Sequence, residues 1–383
     1  YAYGKPVVAS RIGSLAEIVE DNKTGLLFEM KNSKDFSDKL RKFIAEPTLS
    51  MTLGINARHK VEEDYAVEKH MNSVIRISNI EVKYMDFKEA LKDPKKIIFS
   101  LGMKGKLGFI TDEKYLKLMY WANTGKKLNL ENPVTFNEKL QWLKLHNQNP
   151  EYSKMVDKYE AKNWITEKIG DEFIIPTLGV WDTFDEIDFD KLPNQFVLKC
   201  THDSGGLVIC KDKRTLDKAK AKKKIEASLK RNYFLVGREY PYKAVKPRII
   251  AEKYMVDSNP KEKEECLTDY KFFCFDGQPK IVYVGKDKSE DPRTDFFNMN
   301  FEHLPIRMRD PNADVAPEKP VMFEKMKSLA GILSKGCPHL RVDFYLINNQ
   351  IYVGELTFYH CSGFTEVKPD EWNNIMGSWI DLD

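Results

Sequence analysis

The chain has 383 residues, of which 42% are hydrophobic and 31% charged, with 61 Lys+Arg against 58 Asp+Glu and a net charge of +3. At roughly 100–200 residues per domain, that length holds two or three domains, and the composition excludes both a disordered chain and a membrane-embedded one. So small a positive excess gives no footprint for nucleic acid, and no run of about 18 apolar residues is present to span a bilayer.

The chain starts at Tyr1, so the natural N-terminus is expected upstream, and a signal segment there stays an open alternative. Pro6-Val7-Val8-Ala9-Ser10 reads as a strand, followed by a helix over 15–20. A turn at Asp21-Asn22-Lys23-Thr24-Gly25 leads to a second strand over 26–28. Helix is predicted from about 33 to 80, broken near Pro47. Strands alternating with helices predict a parallel pairing.

Residues 86–185 read as mostly helical, with Tyr115, Leu116, Met119 and Tyr120 on one apolar face. Thr135 is placed to N-cap the helix that holds Leu140, Trp142 and Leu143. From Phe196 strands dominate, over 196–200, 206–210, 249–254, 270–275, 280–284, 340–347 and 351–358. The lysine-rich stretch 211–231 reads as a solvated helix face, because it lacks the aromatic residues that would stack on bases.

The six cysteines include no C-x-x-C pair and no zinc-finger spacing, which fits a reduced, cytoplasmic protein better than a disulfide scaffold. His360 and Cys361 are expected on a strand, facing opposite ways. Packing and one hydrogen bond would then account for them.

The segment 340–358 is the most informative. A three-residue loop at Asn348-Asn349-Gln350 would set Ile347 opposite Ile351, Tyr345 opposite Val353, Asp343 opposite Glu355 and Arg341 opposite Thr357. Two carboxylates side by side repel each other, and something must offset that. A Mg²⁺ ion with substrate phosphate oxygens is one solution, with Arg341 completing a polyphosphate site. A hydrated, exposed hairpin is the other.

Phe196-Val197-Leu198-Lys199-Cys200 is an apolar strand carrying a lysine, and it runs into Thr201-His202-Asp203-Ser204-Gly205-Gly206. A small glycine-containing loop lets backbone N–H groups approach phosphate. It lacks the Walker A spacing, and neighbouring His, Asp and Ser cannot converge as a hydrolase triad. Arg248-Ile249-Ile250-Ala251-Glu252-Lys253-Tyr254-Met255 could hold a nucleobase or be an ordinary core strand. In Asp269-Tyr270-Lys271-Phe272-Phe273 the lysine needs a partner, because an unpaired buried charge is costly.

In this order, and with Asp157-Lys158, Arg341-Val342-Asp343-Phe344, Gly354-Glu355-Leu356-Thr357-Phe358 and the phrase Thr135-Phe136-Asn137-Glu138-Lys139-Leu140-Gln141-Trp142, residues 86–383 resemble an ATP-grasp ligase of the TupA-like branch. That resemblance implies a mostly helical part over 86–185 and a nucleotide-binding part over 186–383. It implies that Lys158 and Lys199 bind ATP phosphates and that the loop His202, Asp203, Ser204, Gly205 and Gly206 closes over them. Glu252 would accept from the adenine amino group, with the main chain of Lys253 and Met255 on the ring edge. Asp269 would contact the ribose and Lys271 a phosphate. Asp343 and Glu355 would hold Mg²⁺, and Arg341 would stabilise the transferring phosphoryl group. Ligases of this fold usually carry Asn where this chain has Thr357, which bears on a second metal.

The implied reaction joins a small-molecule carboxylate to an amine through an acyl phosphate, with ATP and Mg²⁺ as cofactors. Residues 1–80 resemble the tail of a GT-B retaining glycosyltransferase, on Gly4-Lys5-Pro6-Val7-Val8-Ala9-Ser10, Gly13, Glu17 and Asp21-Asn22-Lys23-Thr24-Gly25-Leu26-Leu27. The paired glutamates of that family would lie upstream, so no sugar transfer is expected from this piece. The fold class expected is therefore α/β and α+β: a truncated Rossmann-like piece followed by an ATP-grasp domain. The pairing suggests substrates attached to a bacterial surface polysaccharide. The alternatives are a glycosyltransferase with an accessory ATP-grasp region, and a non-catalytic nucleotide-binding module.

Overall fold

The computed structural model describes residues 4–64, 94–257, 267–285 and 292–382. The chain divides into two compact units, Tyr1–Lys92 and Asp93–Asp383.

In the first unit β1 (Val7–Ser10) and β2 (Gly25–Phe28) pair in parallel, Val8 opposite Leu26. The helix Gly13–Ile18 makes the crossover, as the strand–helix–strand pattern requires. The helices Ser33–Ala45 and Pro47–Asp64 follow, with the break at Glu46 just before Pro47. Asn32 caps the first of them by accepting from the Asp35 N–H at 3.0 Å. Leu26, Leu27, Leu53 and Ala57 are buried. The part of the predicted helix beyond Asp64 lies outside the described residues.

The second unit contains two antiparallel sheets. The smaller holds β3 (Thr177–Trp181), β4 (Phe196–Cys200), β5 (Leu207–Cys210) and β6 (Ile249–Lys253), in the order β3-β6-β4-β5. The larger holds β7 (Asp269–Phe275), β8 (Gln278–Gly285), β9 (Thr294–Asn298), β10 (His303–Leu304), β11 (Leu340–Ile347) and β12 (Gln350–Thr357). Its order is β10-β9-β8-β7-β11-β12.

The larger sheet is buried on both faces: Phe272 and Phe344 lie on the face toward Phe323 of the helix Phe323–Ser334, and Phe273 and Phe296 on the face toward Phe136 of the helix Phe136–His146. Each such ring removed from water contributes roughly 1.5–3 kcal/mol. The smaller sheet packs Phe196, Leu198 and Ala251 against Ala221 and Ile225 of the helix Lys218–Leu229. That helix is the predicted lysine-rich one.

Tyr115, Leu116, Met119 and Tyr120 all lie buried on the helix Asp112–Thr124. Thr135 accepts from the Glu138 N–H at 3.2 Å, and Glu138 reaches back to the Thr135 N–H at 3.0 Å. This reciprocal pair fixes the start of the helix. Three strands run where none was predicted. β3 is five residues long, contains Gly179 and is interrupted by a register shift between Thr177 and Gly179. β9 and β10 are short and polar at their ends. None of the three offers the alternation that marks a strand.

Candidate active site

The hairpin β11–β12 differs from the predicted register near its turn and agrees with it at the far end. The turn has two residues, Asn348 and Asn349, both left-handed with φ of 51° and 61°. Ile347 therefore faces Gln350, and Tyr345 faces Tyr352, one residue away from the predicted pairs. A bulge between Asp343 and Phe344 on one strand, at Gly354 on the other, restores the alignment. Asp343 then faces Glu355, and Arg341 faces Thr357. A Cβ on Gly354 would stand 2.9 Å from the Tyr345 ring, so the bulge is closed to larger residues.

The repulsion between Asp343 and Glu355 is offset by this chain's own cations. Arg341 donates to both oxygens of Asp343, at 2.7 and 2.6 Å, and to Glu355 Oε1 at 2.9 Å. It also donates to Thr357 Oγ1 at 3.1 Å and meets His360 Nδ1 at 2.7 Å. Lys271 finds its partners in Asp269 and Asp343, at 3.6 and 3.5 Å. A metal ion is thus not needed to make the hairpin stable, which corrects the argument from repulsion alone. Burial opposes the charge of Arg341, but Asp343 and Glu355 raise its pKa regardless.

Asp343 is 2% exposed, whereas the Glu355 side chain is 45% exposed. Desolvation around Glu355 favours its neutral form, yet Arg341, Lys158 and Lys271 hold its pKa below the ordinary value. Thr357 Oγ1 donates to Glu355 Oε1 at 3.2 Å. Asp343 and Glu355, with Thr357 beside them, could hold Mg²⁺ once phosphate oxygens complete the shell and Arg341 turns to the phosphate. Among the described residues no group of three or more His, Cys, Asp or Glu forms a metal site by itself.

On the smaller sheet, Lys199 and Glu252 lie on neighbouring strands, and Lys199 Nζ is 2.6 Å from Glu252 Oε2. Lys162, which the sequence reading did not single out, is 2.7 Å from Glu252 Oε1. It follows Lys158 by four residues, but Lys158 lies in the turn before the helix Glu160–Ile169, so no helical spacing in the sequence marks the pair. Burial alone would raise the pKa of Glu252; Lys199 and Lys162 overcome it and hold the group at about 2. Lys158 is held at the other side of the site. Its Nζ donates to the Asp203 carbonyl, and its N–H donates to the Thr201 carbonyl at 3.1 Å. Burial lowers its pKa, partly offset by Glu355.

Two cavities join these groups. A cleft of about 970 Å³ is lined by Val197, Lys199, Glu252, Lys253, Met255, Asp269 and Tyr345, among others. That volume suits a nucleotide-sized ligand. Lys211, Lys220 and Lys224 also line the cleft, so part of the lysine-rich helix faces it. A narrow cavity is lined by Lys158, Lys162, Lys199, Glu252, Gly354 and Glu355. Residues from four distant stretches of sequence therefore converge.

The loop after β4 contributes differently from the way its side chains suggest. The His202 ring is buried with Nε2 3.2 Å from the Ser228 and Arg231 carbonyls, which turns it away from both cavities. Burial lowers its pKa. Asp203 accepts from Ser228 Oγ and, at 3.1 Å, from the Gly206 N–H. Ser204 Oγ lies 3.0 Å from the Tyr233 hydroxyl. A Cβ on Gly206 would come within 2.6 Å of Cys200 and Ser228, so the loop's shape requires glycine there. Lys253 has its N–H donated to the Pro176 carbonyl at 3.0 Å, which leaves only its carbonyl for a ligand.

His360 and Cys361 lie on a tight turn rather than a strand. Cys361, Ser362 and Gly363 all have positive φ, at 47°, 54° and 64°. Buried Lys144 holds that turn, donating to the Ser362 carbonyl at 2.7 Å, while Ser362 Oγ donates to Glu239 at 2.5 Å. Burial lowers the pKa of Lys144 to about 7 and raises that of Glu239. The turn thereby fixes His360 against Arg341. The five described cysteines are free; Cys266 lies outside the described residues.

Two antiparallel sheets with a lysine-lined cleft between them make the second unit an ATP-grasp domain. The chain belongs to the TupA-like ATPgrasp family, whose profile matches residues 138–381. Residues 1–60 match the profile of the group 1 glycosyl transferases. In that region the chain is 37% identical over 76 residues to an uncharacterized glycosyltransferase of Methanocaldococcus jannaschii, a match covering 20% of this chain and 21% of that protein. The chain spans about a fifth of the length of the curated relatives it matches. Among solved structures, a D-alanine–D-alanine ligase from Helicobacter pylori is similar at 14% identity and a TM-score of 0.32. That similarity covers 65% of this chain and 70% of the ligase. A D-alanine–D-alanine ligase from Bacillus anthracis complexed with ATP is similar at 13% identity and a TM-score of 0.32, over 76% of this chain and 82% of that one. Among the described residues, no helix is long and apolar enough to cross a membrane.

Proposed function

We propose that the second unit is an ATP-dependent carboxylate–amine ligase. The observation that carries this reading is the convergence of Lys158, Lys199, Glu252 and Glu355 on one cavity, with Asp343 and Arg341 beside Glu355. The adenine would enter the large cleft, with Glu252 accepting from its amino group and the Lys253 carbonyl and Met255 main chain on its edge. Asp269 would meet the ribose. Lys158, Lys199 and Lys271 would meet phosphates, with the backbone of Ser204, Gly205 and Gly206 over them. Asp343 and Glu355, with Thr357, would hold Mg²⁺, which when bound supplies neutralising charge.

A substrate carboxylate oxygen attacks the γ-phosphorus, and the bond to the ADP oxygen breaks. The amine nitrogen then attacks the acyl carbon, phosphate departs, and the amine proton passes to solvent. Arg341 turns from the carboxylates to the phosphoryl oxygens as charge develops there. Placement and charge neutralisation supply most of the acceleration in such transfers. The glycosyltransferase-like residues 1–60 support a substrate attached to a surface polysaccharide or its precursor, and we place the reaction in the cytoplasm, where ATP is found.

ADP release tests the reading. It should require Mg²⁺, a carboxylate and an amine, and it should fall at least tenfold in Arg341→Ala, since one charge-assisted bond contributes about 1.5–3 kcal/mol. ADP release by Arg341→Ala equal to that of the natural chain contradicts it. Nucleotide binding with no release under any condition points instead to a non-catalytic module.

A further inference from the structure

Lys162 has no part in the reaction just described, yet it is fixed more firmly than a surface lysine. It stands on the helix Glu160–Ile169 and is 14% exposed. Its Nζ donates to the Ile175 carbonyl at 2.6 Å and lies 2.7 Å from Glu252 Oε1. Lys199 takes the other oxygen of the same carboxylate. The two lysines differ in position. Lys199 lines both the large cleft and the narrow cavity, whereas Lys162 lines only the narrow one, behind Glu252.

This arrangement has a consequence when a triphosphate arrives. Lys199 would be drawn toward the phosphate, and its hold on Glu252 would weaken. Glu252 is 5% exposed, and a carboxyl so buried with no cation beside it takes up a proton. An ionised carboxylate only accepts hydrogen bonds, whereas a protonated one can also donate. The first suits an exocyclic amino group on a nucleobase. The second also suits a carbonyl oxygen at the same place.

We propose that Lys162 is a specificity-determining positioning residue: it keeps Glu252 ionised while Lys199 serves the phosphates, and so makes the cleft select an amino-bearing purine over a carbonyl-bearing one. The proposal rests on the nucleotide reading of the cleft. Lys158 adds a third positive charge near Glu252, while β3 presents the uncharged Thr177 opposite it. On the cleft side, Lys253, Asp257 and Asp269 share the lining.

ADP and IDP are suitable probes, because they differ at the purine 6-position. Binding of each to the full chain is measured by calorimetry with Mg²⁺ at pH 6 and pH 8. The natural chain should prefer ADP by at least 100-fold. In Lys162→Met the preference should fall at least tenfold, more at pH 6 than at pH 8, and Lys162→Arg should restore it. Should Lys162→Met not fold, Lys162→Gln, which can still donate to the Ile175 carbonyl, carries the same expectation. A folded Lys162→Met or Lys162→Gln with an unchanged ADP-to-IDP ratio overturns the inference alone. A natural chain that binds neither nucleotide overturns the nucleotide reading and the inference with it.

Discussion

Glu252 is the one carboxylate on the described strands of the smaller sheet. Two lysines share it, and the trio is largely removed from water. Replacing it by Gln leaves both ammonium groups without their counter-charge, at a cost of about 3–5 kcal/mol at neutral pH. The sign of the pH dependence follows from its pKa of about 2 in the fold against an ordinary 4.5. A depressed carboxyl adds stability above its unfolded pKa and loses it as pH falls toward the folded value. The stability gap between the natural chain and Glu252→Gln should therefore be full at pH 7 and shrink between about pH 4.5 and 2. Urea midpoints across that range report it. A gap that stays constant through the window would show that Glu252 is not ionised in the fold. Sequence could not reveal this trio. Lys199 and Glu252 were legible as residues in apolar strands, but their meeting depends on the antiparallel register of β4 against β6.

At the level of the element, the β11–β12 hairpin determines whether two acidic side chains meet. Its turn places Asn348 and Asn349 at positive φ, and a β-branched residue is strained in that region. Asn349→Val should lower stability by about 1–2 kcal/mol and reduce Mg²⁺-dependent ADP release, because the turn sets the register. An unchanged urea midpoint would mean that the turn is not the element holding the hairpin. The hairpin also marks how far sequence reasoning reaches. Alternation and the polar Asn-Asn pair disclosed both strands. A two-residue turn and a one-residue bulge are each invisible to alternation, and they cancel. The far pairs Asp343–Glu355 and Arg341–Thr357 were therefore right although the near pairs were one residue off. His360 and Cys361 were read as strand because composition gives no sign of the three left-handed residues Cys361, Ser362 and Gly363. Buried Lys144 and Gln141, more than 200 residues earlier in the chain, hold that turn together with Glu239.

For the whole molecule, the ordered series of short motifs was more informative than any one of them. Asp157-Lys158, Lys199, Glu252, Lys271, Arg341, Asp343 and Glu355 are far apart in sequence, and none is distinctive alone. Lys158, Lys199, Glu252 and Glu355 line one cavity, and Arg341, Asp343 and Lys271 form the ion-pair network next to Glu355; the proposed reaction would use the cations for phosphates and the carboxylates for a metal. The first unit contributes a parallel strand–helix–strand piece that matches the group 1 glycosyl transferases. The central claim is that ATP activates a carboxylate here. Incubating the full chain with ATP, Mg²⁺ and hydroxylamine across a panel of uronic acids and amino acids tests it most directly, because hydroxylamine intercepts an acyl phosphate as a hydroxamate. The account predicts hydroxamate with at least one carboxylate and none when Asp343 and Glu355 are both replaced by the corresponding amides. Hydroxamate undiminished in that double variant, or ADP formed with active carboxylates but never with trapped hydroxamate, would contradict it.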